Sequence, residues 1–217
     1  MIQYVSRKKL ENGGGKPMRL TYLGHSGFCL ETRNADFLMD CIGGYRRGSR
    51  PVAALVSHDH ADHWRPAAVA CADVLVRGMV PGETREIYGA RIRAYGSTDE
   101  GVSFLISVEG KQIFHAGDLN FWHWAEESTP EEVAQARVDY ENVLSTLRGE
   151  KVHAAMFPVD PRMGRDYALG AELFLKEIQP EKLIPMHFWN HPEAAWEFAR
   201  LHPRVTAMTA PGSYLIF

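Results

Sequence analysis

Short runs of apolar and β-branched residues, separated by turn residues, dominate the first half of the chain. Three such runs, over 19–23, 28–31 and 37–40, are separated by residues such as Gly24 and Asn34. This pattern predicts an antiparallel meander. Further strands are predicted over 53–57, 73–77, 90–94, 102–108 and 111–115.

The second half of the chain alternates between helical and strand patterns. A helix is predicted over 130–147, because Thr129 as N-cap and Glu132 three residues later form a capping box around Pro130. Beyond it, the pattern predicts strands near 154–158, 182–186, 204–208 and 213–217 and helices near 167–178 and 192–200. This order predicts two packed sheets with helices outside.

The predicted elements fit one domain over residues 18–217, preceded by a polar, glycine-rich segment over 1–17 that is predicted to be a flexible leader. The chain has 217 residues, 45% hydrophobic and 24% charged, which is enough to build a substantial core. A formal net charge of −3 argues against nucleic acid as a partner. No apolar run approaches the roughly 20 residues of a membrane span, so no membrane partner is expected. The three cysteines are an odd number in apolar settings, which favours reduced thiols and a cytoplasmic location.

One short segment concentrates ionisable side chains. Residues 57–64, SHDHADHW, contain three of the ten histidines, and they follow the apolar run over 51–56. The histidines therefore begin where a predicted strand ends. By strand alternation His58 and His60 point the same way, whereas Asp62 and His63 can turn toward a second position. Because neutral histidine is the commonest metal ligand, the segment predicts a metal site.

Two later segments repeat this placement. The apolar run over 112–116 is followed by Gly117 and Asp118, and the run over 182–186 is followed by His187. Taken singly, Asp118 is a turn residue and His187 a capped strand-end histidine. Together with the first motif they predict further ligands, because the two oxygens of a carboxylate can bridge two cations.

These motifs resemble those of the metallo-β-lactamase-fold hydrolases, and the similarity is greatest to the branch that includes the ascorbate-phosphate lactonase. The residues that carry it are SHDHADH at 57–63, HAGD at 115–118, IPMH at 184–187, LGHSGFCLET at 23–32 and FLMD at 37–40. The resemblance implies an α/β fold of α+β type, a four-layer αββα sandwich of two mixed β-sheets with one or two divalent ions at one edge. It implies that the first ion takes His58 and His60, that the second takes Asp62, His63 and His187, and that Asp118 bridges them.

The chain departs from the family pattern at one ligand. The family takes a third histidine for the first ion from a segment before the Gly-Asp motif, and residues 64–114 contain no histidine. The corresponding loop is 95–101. Four interpretations remain open: Asp99, Glu100 or a hydroxyl replaces the histidine, His115 does so, the first ion binds weakly, or it is missing. Zinc is the expected ion, and an oxygen ligand would shift preference toward manganese or iron.

The chemistry follows from the ions. A bound divalent ion lowers the pKa of its water from 15.7 toward ~7 and polarises a carbonyl or phosphoryl oxygen. Asp62 is predicted as the catalytic residue, which orients the resulting hydroxide or takes its proton. Asp59 points away by alternation and is predicted to orient a histidine from behind. His25 is predicted to be a hydrogen-bonded structural histidine.

Large side chains near the motifs leave the substrate open. Six aromatics either wall a pocket for a ring-bearing substrate or pack the inner rim: Trp64, Phe121, Trp122, Trp124, Phe188 and Trp189. His123 is expected to pack rather than donate a proton. Four arginines either bind an anionic group or are isolated surface charges: Arg46, Arg47, Arg162 and Arg165.

The sequence therefore predicts a metal-dependent hydrolase that uses a metal-activated hydroxide on a lactone, ester, amide or phosphodiester of a small metabolite. Two alternatives remain: a non-catalytic metal or ligand sensor on the same fold, which the missing histidine suggests, and a nuclease. The nuclease lacks a basic stripe to support it. The oligomeric state stays open.

Overall fold

The computed structural model describes residues 17–217. The leader predicted over 1–17 thus lies, apart from Pro17, outside the described residues. The strands in chain order are β1 Arg19–Gly24, β2 Gly27–Glu31, β3 Asp36–Met39, β4 Val52–Leu55, β5 Val74–Val76, β6 Thr84–Ile87, β7 Ala90–Tyr95, β8 Ser103–Val108, β9 Lys111–His115, β10 Ala154–Pro158, β11 Leu183–Met186 and β12 Tyr214–Ile216. The helices are α1 Pro66–Val69, α2 Pro130–Leu147, α3 Leu169–Glu177 and α4 Pro192–Leu201, and a 3₁₀ helix spans Pro161–Asp166.

The strands form two six-stranded sheets, in the orders β12-β1-β2-β3-β4-β5 and β11-β10-β9-β8-β7-β6. In the first sheet β1, β2 and β3 are antiparallel neighbours, whereas β4 runs parallel to both β3 and β5. In the second, β6 to β9 form an antiparallel meander and β10 runs parallel to β9 and β11. The predicted meander and the prediction of two mixed sheets with helices are both confirmed.

One hydrophobic core joins the two sheets. Phe28 and Phe37 of the first sheet and Phe104 and Phe114 of the second are fully buried in the same cluster. Strand alternation places Phe28, Phe37 and Phe104 on the inner faces of the sheets and Phe114 on the outer face of the second sheet. The helices α2 and α3 cover the second sheet from outside: the Phe174 ring of α3 stacks on Phe114 with centroids 5.3 Å apart.

The predicted helix over 130–147 is confirmed to the residue. The Thr129 side chain accepts a hydrogen bond from the Glu132 backbone, and the Glu132 side chain accepts one from the Thr129 backbone, as in a capping box. The strand predicted over 204–208 is wrong, because only an isolated bridge between Leu183 and Val205 forms there. The short α1 and the polar edge strand β6 were not predicted.

Among residues 17–217, no helix combines the length and the apolar character that crossing a bilayer requires.

Candidate active site

The candidate site lies where parallel strands of both sheets end. The segments that follow β3 and β4 carry Asp40 and the SHDHADHW motif, and those that follow β9, β10 and β11 carry Asp118, Asp160 and His187. Carboxyl ends of parallel strands meet at one edge of a sheet, and loops at that edge commonly form ligand sites. The packing of the two sheets then brings the two edges together.

Three imidazoles converge on the Asp118 carboxylate. Its Oδ1 lies 3.0 Å from Nε2 of His63 and 3.5 Å from Nε2 of His187. Its Oδ2 lies 3.5 Å from Nε2 of His58. Each oxygen of Asp118 therefore faces a different set of histidines, as a carboxylate shared between two positions would.

The atoms at this centre fit a metal. Nε2 of His58, His63 and His187 and Oδ1 of Asp118 are buried and, within residues 17–217, have no hydrogen-bond partner of good geometry. Buried polar atoms are rarely left without a partner, because an unpaired one costs about 1–3 kcal/mol. Imidazole nitrogens together with carboxylate oxygens form a donor set that divalent transition ions bind. One or two bound divalent ions would therefore account for these four atoms.

The possible ligands fall into two groups. Ligand atoms within each group lie within 4.8 Å of one another. The first group is His58, His60 and Asp118, and the second group is His25, Asp62, His63 and His187. The six residues that the resemblance assigns to the two ions each lie in one of the groups, whereas none of the candidate replacements for the missing histidine does. His60 is the most open of them, since 45% of its side chain is exposed.

Three side chains behind the centre hold the imidazole rings. Nδ1 of His63 donates to Asp40 at 2.8 Å, and Nδ1 of His187 donates to Asp160 at 2.9 Å. The Ser57 hydroxyl donates to Asp40, so it accepts from Nδ1 of His58 at 2.9 Å. With Nδ1 protonated in each ring, Nε2 carries the free lone pair that a metal ligand needs.

The electrostatics of this centre favour a cation. Burial lowers the pKa of His63, but the charges of Asp40 and Asp118 outweigh burial and raise that pKa to about 10. Burial also opposes a charge on His187, whose pKa is nevertheless raised by Asp160 and Asp62. For His58, burial and the neighbouring His63 lower the pKa. The carboxylates therefore create a field that attracts positive charge to the position between the rings.

Asp40 and Asp160 were not predicted as site residues. Each follows an apolar strand in the sequence, FLMD and MFPVD, which is the same signal that identified His58 and Asp118. What the sequence does not contain is the pairing of each carboxylate with a ring from a distant segment. Asp160 is 27 residues from His187, and Asp40 is 23 from His63.

Asp160→Asn is expected to weaken metal binding by about 10- to 100-fold, because a carboxylate behind a ligating histidine sets the orientation and basicity of the ring. The measurement is competition with a metal chelator of known affinity. Asp166→Asn is the matched control, since Asp166 accepts from His123 at 3.0 Å rather than from a ring of the centre. Equal affinities of Asp160→Asn and wild type would contradict this role.

Backbone strain is concentrated at this centre. Among the non-glycine residues with positive φ are His25 at 49°, Asp40 at 42°, His187 at 63° and Trp189 at 50°. Such conformations cost about 1–3 kcal/mol each and persist where the surroundings enforce them. At these residues the chain turns sharply after a strand, and the turn directs the side chain into the site.

Asp62 is a member of the second group and lines an open cleft. Its Oδ2 is 3.2 Å from Nε2 of His25 and 3.7 Å from Nε2 of His187. The His187 and His25 rings hold the pKa of Asp62 well below its usual range, so this side chain is a carboxylate at neutral pH. The predicted hydrogen bonding of His25 is found, with Asp62 as its partner.

Two predictions about neighbouring residues need correction. His115 belongs to neither group, because its Nε2 donates to the Ser26 carbonyl at 2.8 Å and its Nδ1 accepts from the Gly117 backbone at 3.1 Å. With both ring nitrogens engaged, His115 is a structural residue rather than a ligand. Asp59 does not orient a histidine, because its carboxylate accepts from Arg77 at the surface, at 2.7 Å. His123 is buried against Phe121, in the packing role expected.

A cleft of about 630 Å³ opens directly above Asp62 and Asp118. Of the six predicted aromatics, Trp122, Trp124 and Trp189 line it. Of the four predicted arginines only Arg162 does, and its guanidinium lies 4.6 Å above the Trp189 ring. Arg47 instead pairs with Asp73, and Arg165 lies near Asp166. Arg65, which was not predicted, also lines the cleft.

Comparison with known proteins agrees with this geometry. The family model described as the beta-lactamase superfamily domain matches residues 19–187. A metal-dependent hydrolase from Pelotomaculum thermopropionicum is 26% identical over 89% of this chain and 94% of its own. A metal-dependent hydrolase from Methanopyrus kandleri is 28% identical over 81% and 86%.

A solved structure shares the fold. The metallo hydrolase Igni18 from Ignicoccus hospitalis superposes with a TM-score of 0.64 over 93% of this chain and 99% of its own, at 20% identity. The family match spans most of the described residues, and the strand-end histidines and aspartates lie within it. The chain therefore belongs to the metallo-β-lactamase superfamily and is a metal-dependent hydrolase of that fold.

Proposed function

We propose that this protein hydrolyses a lactone, ester, amide or phosphodiester bond of a small anionic metabolite, with one or two divalent ions bound at the strand ends. The observation that carries the proposal is the convergence of four buried ligand atoms without a hydrogen-bond partner among residues 17–217, two of them on Asp118 and His187, which line an open cleft. Zinc suits the imidazole-rich second group, while manganese or iron is compatible with added oxygen ligands.

Six side chains would hold the ions. We assign His58 and His60 to the first, Asp62, His63 and His187 to the second, and Asp118 to both. Bound ions supply Lewis-acid polarisation of the scissile group and acidify coordinated water. The open cleft above Asp62 and His60 leaves room for water and substrate, which supports a catalytic site over a saturated structural or sensor site.

Asp62 is the proposed catalytic residue. It is ionised, lies in the cleft, and keeps 30% of its side chain exposed, so its carboxylate can contact the attacking water. The role of His25 is to fix the orientation of that carboxylate through their 3.2 Å contact. With its pKa held low, a carboxylate in this position orients the attacking water through a hydrogen bond.

The cleft walls suit a substrate with an apolar ring and a negative charge. The rings of Trp122, Trp124 and Trp189 offer flat apolar surface. The Arg65 guanidinium bonds only the Ala61 carbonyl within residues 17–217, at 3.3 Å, so its charge remains available to an anion. Arg162 is committed to Asp160, with Nε 3.0 Å from each carboxylate oxygen.

Removal of metal is expected to abolish turnover, and readdition of a divalent ion to restore it. The measurement uses chelator-treated protein and a panel of aryl esters, aryl lactones and aryl phosphodiesters, each in a neutral and a carboxylate-bearing form. For the bond type that the protein accepts, the carboxylate-bearing substrate should have a higher kcat/KM than the neutral one. Arg65→Met should reduce this ratio of kcat/KM values by about tenfold, which corresponds to one charge contact of roughly 1.4 kcal/mol.

Two results would contradict the proposal. Turnover that survives complete metal removal would exclude the ion-dependent reaction, and stoichiometric metal binding without turnover of any substrate in the panel would favour the sensor. Arg77→Met serves as the control for Arg65→Met, because Arg77 pairs with Asp59 away from this cleft.

A further inference from the structure

The first group of ligands is one residue short of the second. His58, His60 and Asp118 form a group of three, whereas the other group has four members. His58 is nevertheless built as a ligand, since its Nε2 is buried, lacks a hydrogen-bond partner and lies 3.5 Å from Asp118. A further donor near His58 and His60 would complete this position.

The loop between β7 and β8 is tied to the site at two points. The Thr98 hydroxyl accepts from the Asn120 backbone at 3.0 Å, just beyond Asp118. At the other end, the Val102 backbone donates to the Ser57 carbonyl at 3.1 Å, next to His58. The backbone that carries Asp99 and Glu100, between these two anchors, is therefore held beside the ligands.

Gly101 brings the loop closer than any other residue would allow. A Cβ at this position would lie 2.0 Å from the Ser57 carbonyl oxygen and 2.7 Å from Cβ of His58, and the Gly101 φ is +75°. Both the contact and the conformation require glycine. The backbone of residue 100 thus runs directly past the first of the ligating histidines.

The side chains of Asp99 and Glu100 lie in two different depressions of the surface. Asp99 lines the substrate cleft with Asp62 and Trp122. Glu100 lines a second depression, of about 520 Å³, together with His58. Its Oε2 lies 3.6 Å from Nε2 of His60, and 66% of its side chain is exposed, so the carboxylate is free to adjust its position.

We infer that Glu100 is a ligand of the first ion, in the place of the histidine that residues 64–114 lack. The inference rests on the proposed function, because it names a ligand of the same centre. Two imidazoles and two carboxylates, His58, His60, Glu100 and Asp118, then bind this ion. A donor set of this kind is harder than one with three imidazoles, so the first position prefers manganese or iron over zinc relative to a three-histidine site.

The test is metal binding by the full chain, measured without substrate. Metal-stripped wild type, Glu100→Gln, Glu100→His and Asp99→Asn are each loaded with Mn²⁺, Fe²⁺ under anaerobic conditions, or Zn²⁺. Ions per chain are then counted by mass spectrometry, and affinities are measured by titration calorimetry. Asp99→Asn is the matched control, because it removes the adjacent carboxylate without touching the inferred ligand.

Wild type and Asp99→Asn are expected to bind two ions. Glu100→Gln should bind one ion with unchanged affinity and the other at least about 100-fold more weakly, a larger effect than loss of an outer partner. Glu100→His should bind two ions again, with its preference shifted toward zinc by about tenfold or more. This gain by substitution would not follow if the glutamate had only a structural role.

Two results would overturn the inference. Glu100→Gln could bind two ions as wild type does, which would show that Glu100 is not a ligand. Alternatively, wild type could bind one ion under all three loadings, and Glu100→Gln the same. Neither result bears on turnover, since a single ion at Asp62, His63 and His187 could still support hydrolysis, so failure here is distinguishable from failure of the proposed function.

Discussion

Asp118→Ala is expected to reduce metal-dependent turnover by about 10³-fold or more, because the loss removes several kcal/mol of transition-state stabilisation by the ions. Among residues 17–217, Asp118 is the one carboxylate within 3.5 Å of all three buried Nε2 atoms, those of His58, His63 and His187. Because Asp118 is proposed to bind both ions, its removal would leave each proposed ion position without one ligand. The measurement is kcat/KM on whichever substrate the wild type accepts, together with ions per chain.

The control for this variant is Asp139→Ala, on the outer surface of α2, where the carboxylate accepts only from Gln135 at 2.9 Å. It should retain wild-type turnover and metal content. If Asp118→Ala retained turnover within tenfold of wild type, the assignment of Asp118 as shared ligand would be wrong. His60→Ala removes a proposed ligand of the first ion from the exposed side of the centre, and turnover should likewise fall.

Asp40→Ala is expected to lower the free energy of unfolding of the metal-free protein by roughly 3–5 kcal/mol, the cost of breaking a buried ion pair. Asp40 is completely buried and accepts from the Ser57 backbone, the Ser57 hydroxyl and His63. Burial raises the pKa of Asp40, but the charge of His63 and the hydrogen bonds from His63 and Ser57 outweigh burial and lower that pKa to about 2. The alanine variant leaves these donors and charges without their partner. The measurement is urea unfolding in the presence of chelator.

Two further variants make this result specific. Asp40→Asn keeps the size and one acceptor, so it should lose less stability than Asp40→Ala. Asp59→Ala removes an exposed carboxylate whose partner is Arg77 at the surface, and it should unfold close to wild type. Equal stability of Asp40→Ala and Asp59→Ala would contradict a structural role of Asp40 beneath the centre.

The resemblance of the motifs to the family carried most of the prediction of the fold. The meander over β1–β3 and helix α2 followed from local signals, alternation and a capping box, which depend on neighbours in the sequence. The strand predicted near 204–208 failed because an apolar run becomes a strand only when a partner strand lies alongside it, and Val205 meets only Leu183. Edge strand β6 was missed because its alternating charged residues do not resemble a buried strand.

The ligand types at strand ends could be predicted because each lies beside an apolar run in the sequence. The residues that hydrogen-bond these ligands could not be predicted. Asp40 and Asp160 act through hydrogen bonds to rings 23 and 27 residues away. The availability of a ring nitrogen is likewise a tertiary property. His115 and His187 both end predicted strands, yet the Nε2 of His115 is occupied by the Ser26 carbonyl and that of His187 is free.

The sequence by itself determined the kind of chemistry: histidines and aspartates at the ends of apolar strands, in a spacing that predicts divalent ions and hydrolysis. Only the tertiary structure decided which of these side chains lie close together, which rings are hydrogen-bonded by a carboxylate from another segment, and where the carboxylates of the β7–β8 loop lie. Asp99 and Glu100 are adjacent in the chain and alike in chemistry. Asp99 lines the cleft and Glu100 lies near His60, because the close contact of Gly101 with Ser57 directs the backbone between these two places. The physical reason is that ligand chemistry belongs to residue types, whereas ligand geometry arises from the packing of two sheets whose edges are far apart in sequence.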